Sequence, residues 1–430
     1  MISTLLIVFA ICLVVGLPIG VSVGVASLTP FFVSTSFGTD AMYVIRGMVS
    51  GLDSTPLLAV PMFMLSGAIM AKGGISEKIF NVFAYFVGKK TAGMPCAVII
   101  TCLFFGAISG SGPATCAAVG SMAIPVLVEL GYDKIFAGAI CATAGGLGVI
   151  IPPSIPFILY GLSSGTSVGD LFIAGIIPGI LIAFALMIYA FIYCKRNGED
   201  KAKLIENHDN LKAKGLPNLL KESFFALLTP VIILGGIYGG FVTPTEAATL
   251  SVTYSLIVCL FIYKTVKVKE LYVFLLESVK SYAPLLLLFM TATAFGRVLT
   301  LTGAPQELAQ FILNTFGEHQ LAFLLVFTFF LLILGMFMDV APAILILAPI
   351  VVPAASAMGI DPIHFGVIMV VSLAIGFVTP PFGVNLFVAA PMADTKVMTL
   401  AKVAFPFIVA FIIALILIVA FPQISLALVG

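Results

Sequence analysis

Runs of about twenty apolar residues alternate along this chain with short polar stretches, and that length matches the hydrocarbon width of a bilayer. Leu171–Cys194, Ala226–Val242 and Phe405–Val429 hold no charged residue at all. The pattern predicts helices at about 3–17 and 19–36, a short amphipathic arm near 39–52, and a helix near 55–71. Residues 95–127 read as a hairpin, 135–164 as a broken helix and 171–194 as a full span, followed by a polar linker at 195–222. The second half then reads as 224–241, 245–263, an arm at 268–281, a helix at 283–300, a hairpin at 321–355, a broken helix at 363–390 and a last helix at 404–428.

The breaks are the first irregularity. Pro152–Pro153 interrupts "GLGVIIPPSIPFILYG", and Pro380–Pro381 interrupts "AIGFVTPPFGVNLFVAA". Proline removes a backbone donor and clashes with the preceding turn, so each pair should stop a helix in the middle of an apolar segment. The two pairs stand 228 positions apart, as do Pro125 and Pro353. At the same offset Gly131 meets Gly359, Asp133 meets Asp361, Gly138 meets Gly366, Gly148 meets Gly376 and Pro56 meets Pro284. With one further residue Gly74 meets Gly303, Gly88 meets Gly317 and Gly106 meets Gly335. Glycine and proline encode backbone shape, so the matches predict a structural repeat.

Lysine and arginine give the orientation of the halves, because short cytoplasmic loops collect them. The segment Lys72–Lys90, read as a connecting loop, carries four lysines, and its partner Leu301–His319 carries no Lys or Arg. The halves should therefore be inverted, with Lys195–Glu222 and Tyr263–Glu270 cytoplasmic and both termini external.

Composition agrees. The chain is 61% hydrophobic and 9% charged, against about 25% charged in soluble proteins. This is the profile of an all-α polytopic membrane protein. A net charge of +1 gives no reason to expect nucleic acid, and the seven cysteines sit in apolar runs without metal-ligand spacing. No Ser/His/Asp grouping or acidic cluster lies at membrane depth, which argues against an enzyme. The N-terminus lacks a basic n-region and reads as an uncleaved helix. With no tryptophan, any interfacial belt must use Tyr and Phe.

Unwound backbone inside a bilayer survives only where protein or a water-filled cavity satisfies its polar groups. Breaks at matching places in two halves point to a transport site near mid-depth. The hairpin tips add chemistry. "GAISGSGPATCA" offers Ser109, Ser111 and Thr115, while "GMFMDVAPAIL" carries Asp339, an intramembrane acid and so a functional candidate. The plain alternatives are packing by small residues and a carboxylate that merely caps a helix. A sodium or proton antiporter, or an anion carrier of similar inverted-repeat design working without a binding protein, is the rival function. It would want several intramembrane acids.

"GAISGSGPAT", "GVIIPPSIPFILYG", "TPTEAA" (Thr243–Ala248), "GMFMD" and "VTPPFGVN" together resemble the large membrane subunit of the tripartite ATP-independent periplasmic (TRAP) transporters, over essentially the whole chain. The resemblance implies a sodium-coupled importer of organic acids in the bacterial inner membrane, working as an elevator. It also implies a small four-helix membrane subunit on a separate chain and a periplasmic binding protein that delivers substrate. Sialic acid is favoured over a C4-dicarboxylate on general similarity of the hairpin region.

Two sodium sites are expected. Ser109, Gly110, Gly112, Gly145, Gly148 and Pro152 would form one; Gly335, Met338, Asp339, Gly376, Val378 and Thr379 would form the other. Substrate would lie near Ser111, Pro113, Thr115, Ser154, Pro342, Pro381 and Asn385, with the Asn385 amide donating to a carboxylate. Glu246 reads as scaffold, and no arginine falls in register with the pocket, Arg46 and Arg297 lying toward segment ends. The implied division is scaffold 1–71, a transport half 72–165, a connector 166–222, scaffold 223–300, a second transport half 301–392 and a final helix 393–430.

Overall fold

The computed structural model describes residues 2–33 and 41–429. The expected end of the second helix at 34–36 and the start of the arm at 39–40 lie outside the described residues. Every described regular element is helical, and eight helices are long and apolar enough to cross a membrane.

Two helices, α1 (Ile2–Val14) and α2 (Ile19–Val33), lead to a short helix α3 (Ala41–Leu52) and to α4 (Ala59–Lys72). After α5 (Ile75–Val87) comes the first hairpin, α6 (Gly93–Ser109) and α7 (Gly112–Glu129). The broken helix follows as α8 (Lys134–Gly145), a 3-10 turn Gly146–Val149, and α9 (Ile155–Ser164). A long helix α10 (Val168–Asn197) and a polar helix α11 (Lys201–Ala213) complete this half. The same order recurs in α12 (Leu216–Tyr238), α13 (Pro244–Leu256), α14 (Leu271–Leu301) and α15 (Ala304–Phe316). The second hairpin is α16 (Gln320–Gly335) and α17 (Val340–Ala357), the second broken helix α18 (Pro362–Gly376) and α19 (Val384–Met392), and the last span α20 (Val397–Ala420).

Residues matched by the offset do the same local work. Asp133 and Asp361 are the N-caps of α8 and α18, accepting from the Phe136 amide at 2.8 Å and the Ile363 amide at 2.7 Å. Ser111 and Asp339, also 228 apart, are the N-caps of α7 and α17.

Three expectations are corrected. Lys72–Lys90 and Leu301–His319 are not loops: they hold α5 and α15, whose apolar faces are buried at Ile75, Ile79, Phe80 and Ala84, and at Ala304 and Ile312. The 195–222 linker is mostly helical, because Asp200 caps α11 and Leu204 and Leu211 give it a buried stripe. The arm at 268–281 and the helix at 283–300 are one helix, α14, running through Pro284. That proline forfeits one hydrogen bond, and the freed Lys280 carbonyl lies in an exposed polar stretch that can solvate it.

Glu199 ties the base of the first hairpin to the end of α10. Its carboxylate accepts from the Ala92 amide at 3.0 and 3.1 Å and from the Tyr132 hydroxyl at 2.5 Å. Burial and this hydrogen bond push the Tyr132 hydroxyl well up, so it remains a donor. Glu199→Ala leaves both donors without an acceptor, and the expected loss is roughly 1–3 kcal/mol, read as a lower melting temperature of the purified protein.

Candidate functional site

In each half a hairpin crosses a broken helix with backbone against backbone. A methyl built on Gly106 would lie 2.7 Å from the Gly148 Cα, and one on Gly376 would lie 2.2 Å from the Gly335 carbonyl oxygen. A side chain at Gly106 or Gly376 would block these crossings, and the two pairs are matched by the repeat offset.

The first crossing gathers oxygens. Ser109 and Thr115 hydroxyls are 2.8 Å apart, and Ser109 also donates to the Ser111 carbonyl at 3.3 Å. A methyl on Gly148 would reach Thr115 Oγ1 at 2.4 Å and the Ser111 carbonyl at 2.6 Å, so all three residues crowd one spot. Gly112 faces the Gly145 carbonyl, and Gly110 faces the Pro153 carbonyl next to Pro152. The Gly110 carbonyl accepts from the Ile155 amide at 3.2 Å, closing the tip onto the break. Ser154 caps α9 and donates to the Val149 carbonyl at 2.5 Å, so its proton is used within the break. Pro113 opens α7 as a half-buried residue.

The second crossing is built alike with different side chains. The Phe382 amide donates to the Met336 carbonyl at 3.1 Å, joining tip to break. Asp339 Oδ1 accepts from the Val340 amide at 2.7 Å, so the carboxylate caps α17 and leaves its second oxygen without a hydrogen bond of its own. Met338 is half-buried beside it, and Pro342 is buried one turn on. Val378 is buried with its amide on the Ile375 carbonyl at 3.1 Å. Thr379 donates to the same carbonyl at 2.8 Å and, with Pro380 and Met336, borders an apolar crevice of about 520 Å³ against α20. Pro381 is exposed.

The halves also interlock. α9 packs on α17, and α19 packs on α7 and α8. Phe377 lies against Gly112, and Gly146 approaches the Ala374 carbonyl. Asn385, fully buried, donates through Nδ2 to the Ala142 carbonyl at 2.9 Å. One of the two Nδ2 protons is therefore used across the half interface. The Oδ1 atom is the free group, buried with no protein partner. The Ala142 carbonyl has no sequence motif that would have revealed it.

Each crossing therefore brings together two helix C-termini and two helix N-termini, several of whose first amides are already used within the tip or by caps. In the first these are the ends of α6 and α8 and the starts of α7 and α9; in the second, the ends of α16 and α18 and the starts of α17 and α19. Such ends carry about half a charge of each sign. The carbonyl side suits a cation and the amide side an anion. Among the described residues no three His, Cys, Asp or Glu side chains gather as a ligand set. A cation here would rest on carbonyls, hydroxyls and Asp339.

Arg297 stands apart from both tips. It lines a cavity of about 380 Å³ between α3, α9, α14 and α17, with Tyr43, Ser163, Ser164 and Thr293. Arg46 is exposed on α3. Glu246 closes a capping box with Thr243 at the start of α13, a structural task.

A family model described as "Tripartite ATP-independent periplasmic transporter, DctM component" matches residues 6–424. The isethionate TRAP transporter permease protein DctMQ of Oleidesulfovibrio alaskensis is 44% identical over 96% of this chain, which spans 64% of that protein's length. The sialic acid TRAP transporter large permease protein SiaM of Vibrio cholerae is 38% identical, covering 96% of this chain and 95% of the relative. The C4-dicarboxylate large permease DctM of Pseudomonas aeruginosa is 41% identical over 86% of each. Among solved structures, the Alcanivorax borkumensis YdaH transporter shares the fold with a TM-score of 0.61 at 18% identity, covering 90% of each chain.

Proposed function

The chain belongs to the DctM-component family of tripartite ATP-independent periplasmic transporters, a multi-pass membrane permease rather than an enzyme, and from that premise we propose that it imports an organic anion together with sodium across the bacterial inner membrane. The observation that carries this reading is the pairing of carbonyl ends with amide ends at each crossing. One arrangement offers a cation and an anion adjoining places. Asp339 adds the formal charge on the cation side of the second crossing, and uncharged oxygens of Ser109, Ser111 and Thr115 serve the first. The helix N-termini would face the substrate side. Arg297 would meet the anion in its outer cavity, before or after the tips, which addresses the missing positive charge.

The substrate class is an organic acid, carboxylate or sulfonate. Relatives are named for isethionate, sialic acid and C4-dicarboxylates, and no residue at the tips singles out sialic acid. In this reading a separate periplasmic protein delivers the substrate, and a small membrane subunit completes the scaffold. The hairpins and broken helices move as one body against α1–α4 and α12–α14, an elevator whose sliding face includes the Arg297 cavity. The lysine-rich segments 72–90, 195–222 and 263–270 lie in the cytoplasm and both termini outside.

Proteoliposomes holding the complete transporter test this. Uptake should require both an inward sodium gradient and the soluble binding protein, and should fall to background in potassium. Equal uptake in potassium without the binding protein would leave a carrier of another type.

A further inference from the structure

The end of the fold that carries the lysine-rich segments holds a basic groove that transport does not use. A cavity of about 830 Å³ is bordered by Lys78 of α5, Lys214 after α11, and Asn218, Lys221 and Glu222 of α12, with Phe225, Ile262 and Tyr263 on its apolar side. A second cavity of about 210 Å³ adjoins it through Lys78, Lys214 and Glu222, and adds Glu77 and Asn81. Among the described residues none of the three lysines is within ion-pair distance of a carboxylate. Glu222, which lines both cavities, and Glu77, which lines the smaller one, offset part of their charge without forming an ion pair.

The walls are held in place. Lys78 Nζ sits 4.4 Å above the Tyr263 ring, and the Lys78 carbonyl accepts from the Ser223 hydroxyl at 2.9 Å. The Tyr263 hydroxyl accepts from the Ala226 amide at 3.3 Å, and burial pushes it up to about 12, so the ring stays neutral under the ammonium. A π-helical turn, Ile257–Ile262, delivers Tyr263 to this place. Next in sequence to the lining residues Phe225 and Ile262, Phe224 is 54% and Phe261 71% exposed. Three cations in a groove with Phe225, Ile262 and Tyr263 on its apolar side, at the end of membrane helices, match a charged headgroup with its acyl chains.

We propose that this groove binds the phosphate of an anionic membrane phospholipid, with Lys78, Lys214 and Lys221 on the headgroup and the chains along Phe225, Ile262 and Phe261. The lipid would fasten α5, which leads into the first hairpin, to the scaffold helix α12.

Native mass spectrometry and thermal unfolding of the full-length detergent-purified protein test this, with cardiolipin, phosphatidylcholine of matched chains, and inorganic phosphate added separately. Cardiolipin should be retained and should raise the melting temperature, while phosphatidylcholine and phosphate at equal concentration should do neither. In K78Q/K214Q/K221Q the apparent cardiolipin affinity should fall about tenfold or more, and a K201Q/K203Q control should match the parent. The K214Q/K221Q pair, both at exposed positions, replaces the triple variant should Lys78 prove necessary for folding. Retention unchanged by these substitutions, equal binding of phosphatidylcholine, or equal protection by inorganic phosphate would each overturn the proposal.

Discussion

Gly376→Ala is expected to abolish uptake and to lower the melting temperature, while Gly335→Ala, at the residue it touches, is expected to be mild. The two glycines form one crossing, yet their Cβ directions differ. From Gly376 the added methyl would sit 2.2 Å from the Gly335 carbonyl oxygen and 2.7 Å from its Cα. Both are backbone atoms at a helix end, so no side-chain rotation relieves the contact, and α16 must separate from α18. From Gly335 the nearest atoms are at 3.3 Å, the Gly376 Cα and the Leu373 carbonyl, a squeeze of a few tenths of an ångström. Overpacking of this kind costs about 1–3 kcal/mol, and more where backbone must move. The functional loss should exceed the stability loss if, as proposed, the carbonyl ends of α16 and α18 converge on a cation there. Uptake in proteoliposomes and thermal unfolding of both variants decide it. Equal behaviour of the two substitutions would show that this crossing is not held as described. Gly148→Ala is the counterpart in the first half, its methyl driven at Thr115 Oγ1 and the Ser111 carbonyl.

The breaks and tips were legible because proline and glycine act on their own backbone, which needs no knowledge of neighbours. Pro152–Pro153 and Pro380–Pro381 end helices wherever the chain goes, and the repeat offset singled out Gly106 and Gly148 as shape-setting positions, though not that they meet. The same offset, carried from Pro125 back to Ser111, also pairs Ser111 with Asp339, and their shared capping role could have been read from it. Other features depend on partners distant in sequence. α5 and α15 were hidden behind their polar faces, since lysines at 72–90 advertise a loop while Ile75, Ile79 and Phe80 are buried by other helices, among them α6 and α12. Pro284 signalled a boundary, but a single lost hydrogen bond in a solvated stretch is too little to stop a helix of this length. The bond from Asn385 to Ala142 was not legible, because that partner lies 243 residues away and offers only a carbonyl, which every residue has.

Asp339→Asn should keep the protein folded and weaken its dependence on sodium. Asparagine caps a helix about as well as aspartate, so the 2.7 Å bond from the Val340 amide can be retained by the Asn Oδ1. What is lost is the negative charge, and at the second crossing no other acid side chain has been placed to supply it. The sodium concentration giving half-maximal uptake should rise at least about tenfold, equivalent to about 1.4 kcal/mol of binding. Because sodium and substrate affinities are linked, the apparent substrate affinity at fixed sodium should fall as well, and the loss should be recovered in part at high sodium. Asp339→Ala separates the two roles of the side chain: it removes the cap too, adding about 1 kcal/mol of instability that thermal unfolding would register and Asp339→Asn would not. The first crossing provides the internal contrast. Ser111 holds the same capping position without a charge, so Ser111→Ala should lower stability more than it changes the sodium titration. A titration of Asp339→Asn that overlays the parent curve would confine this carboxylate to capping α17 and would move the coupling ion elsewhere.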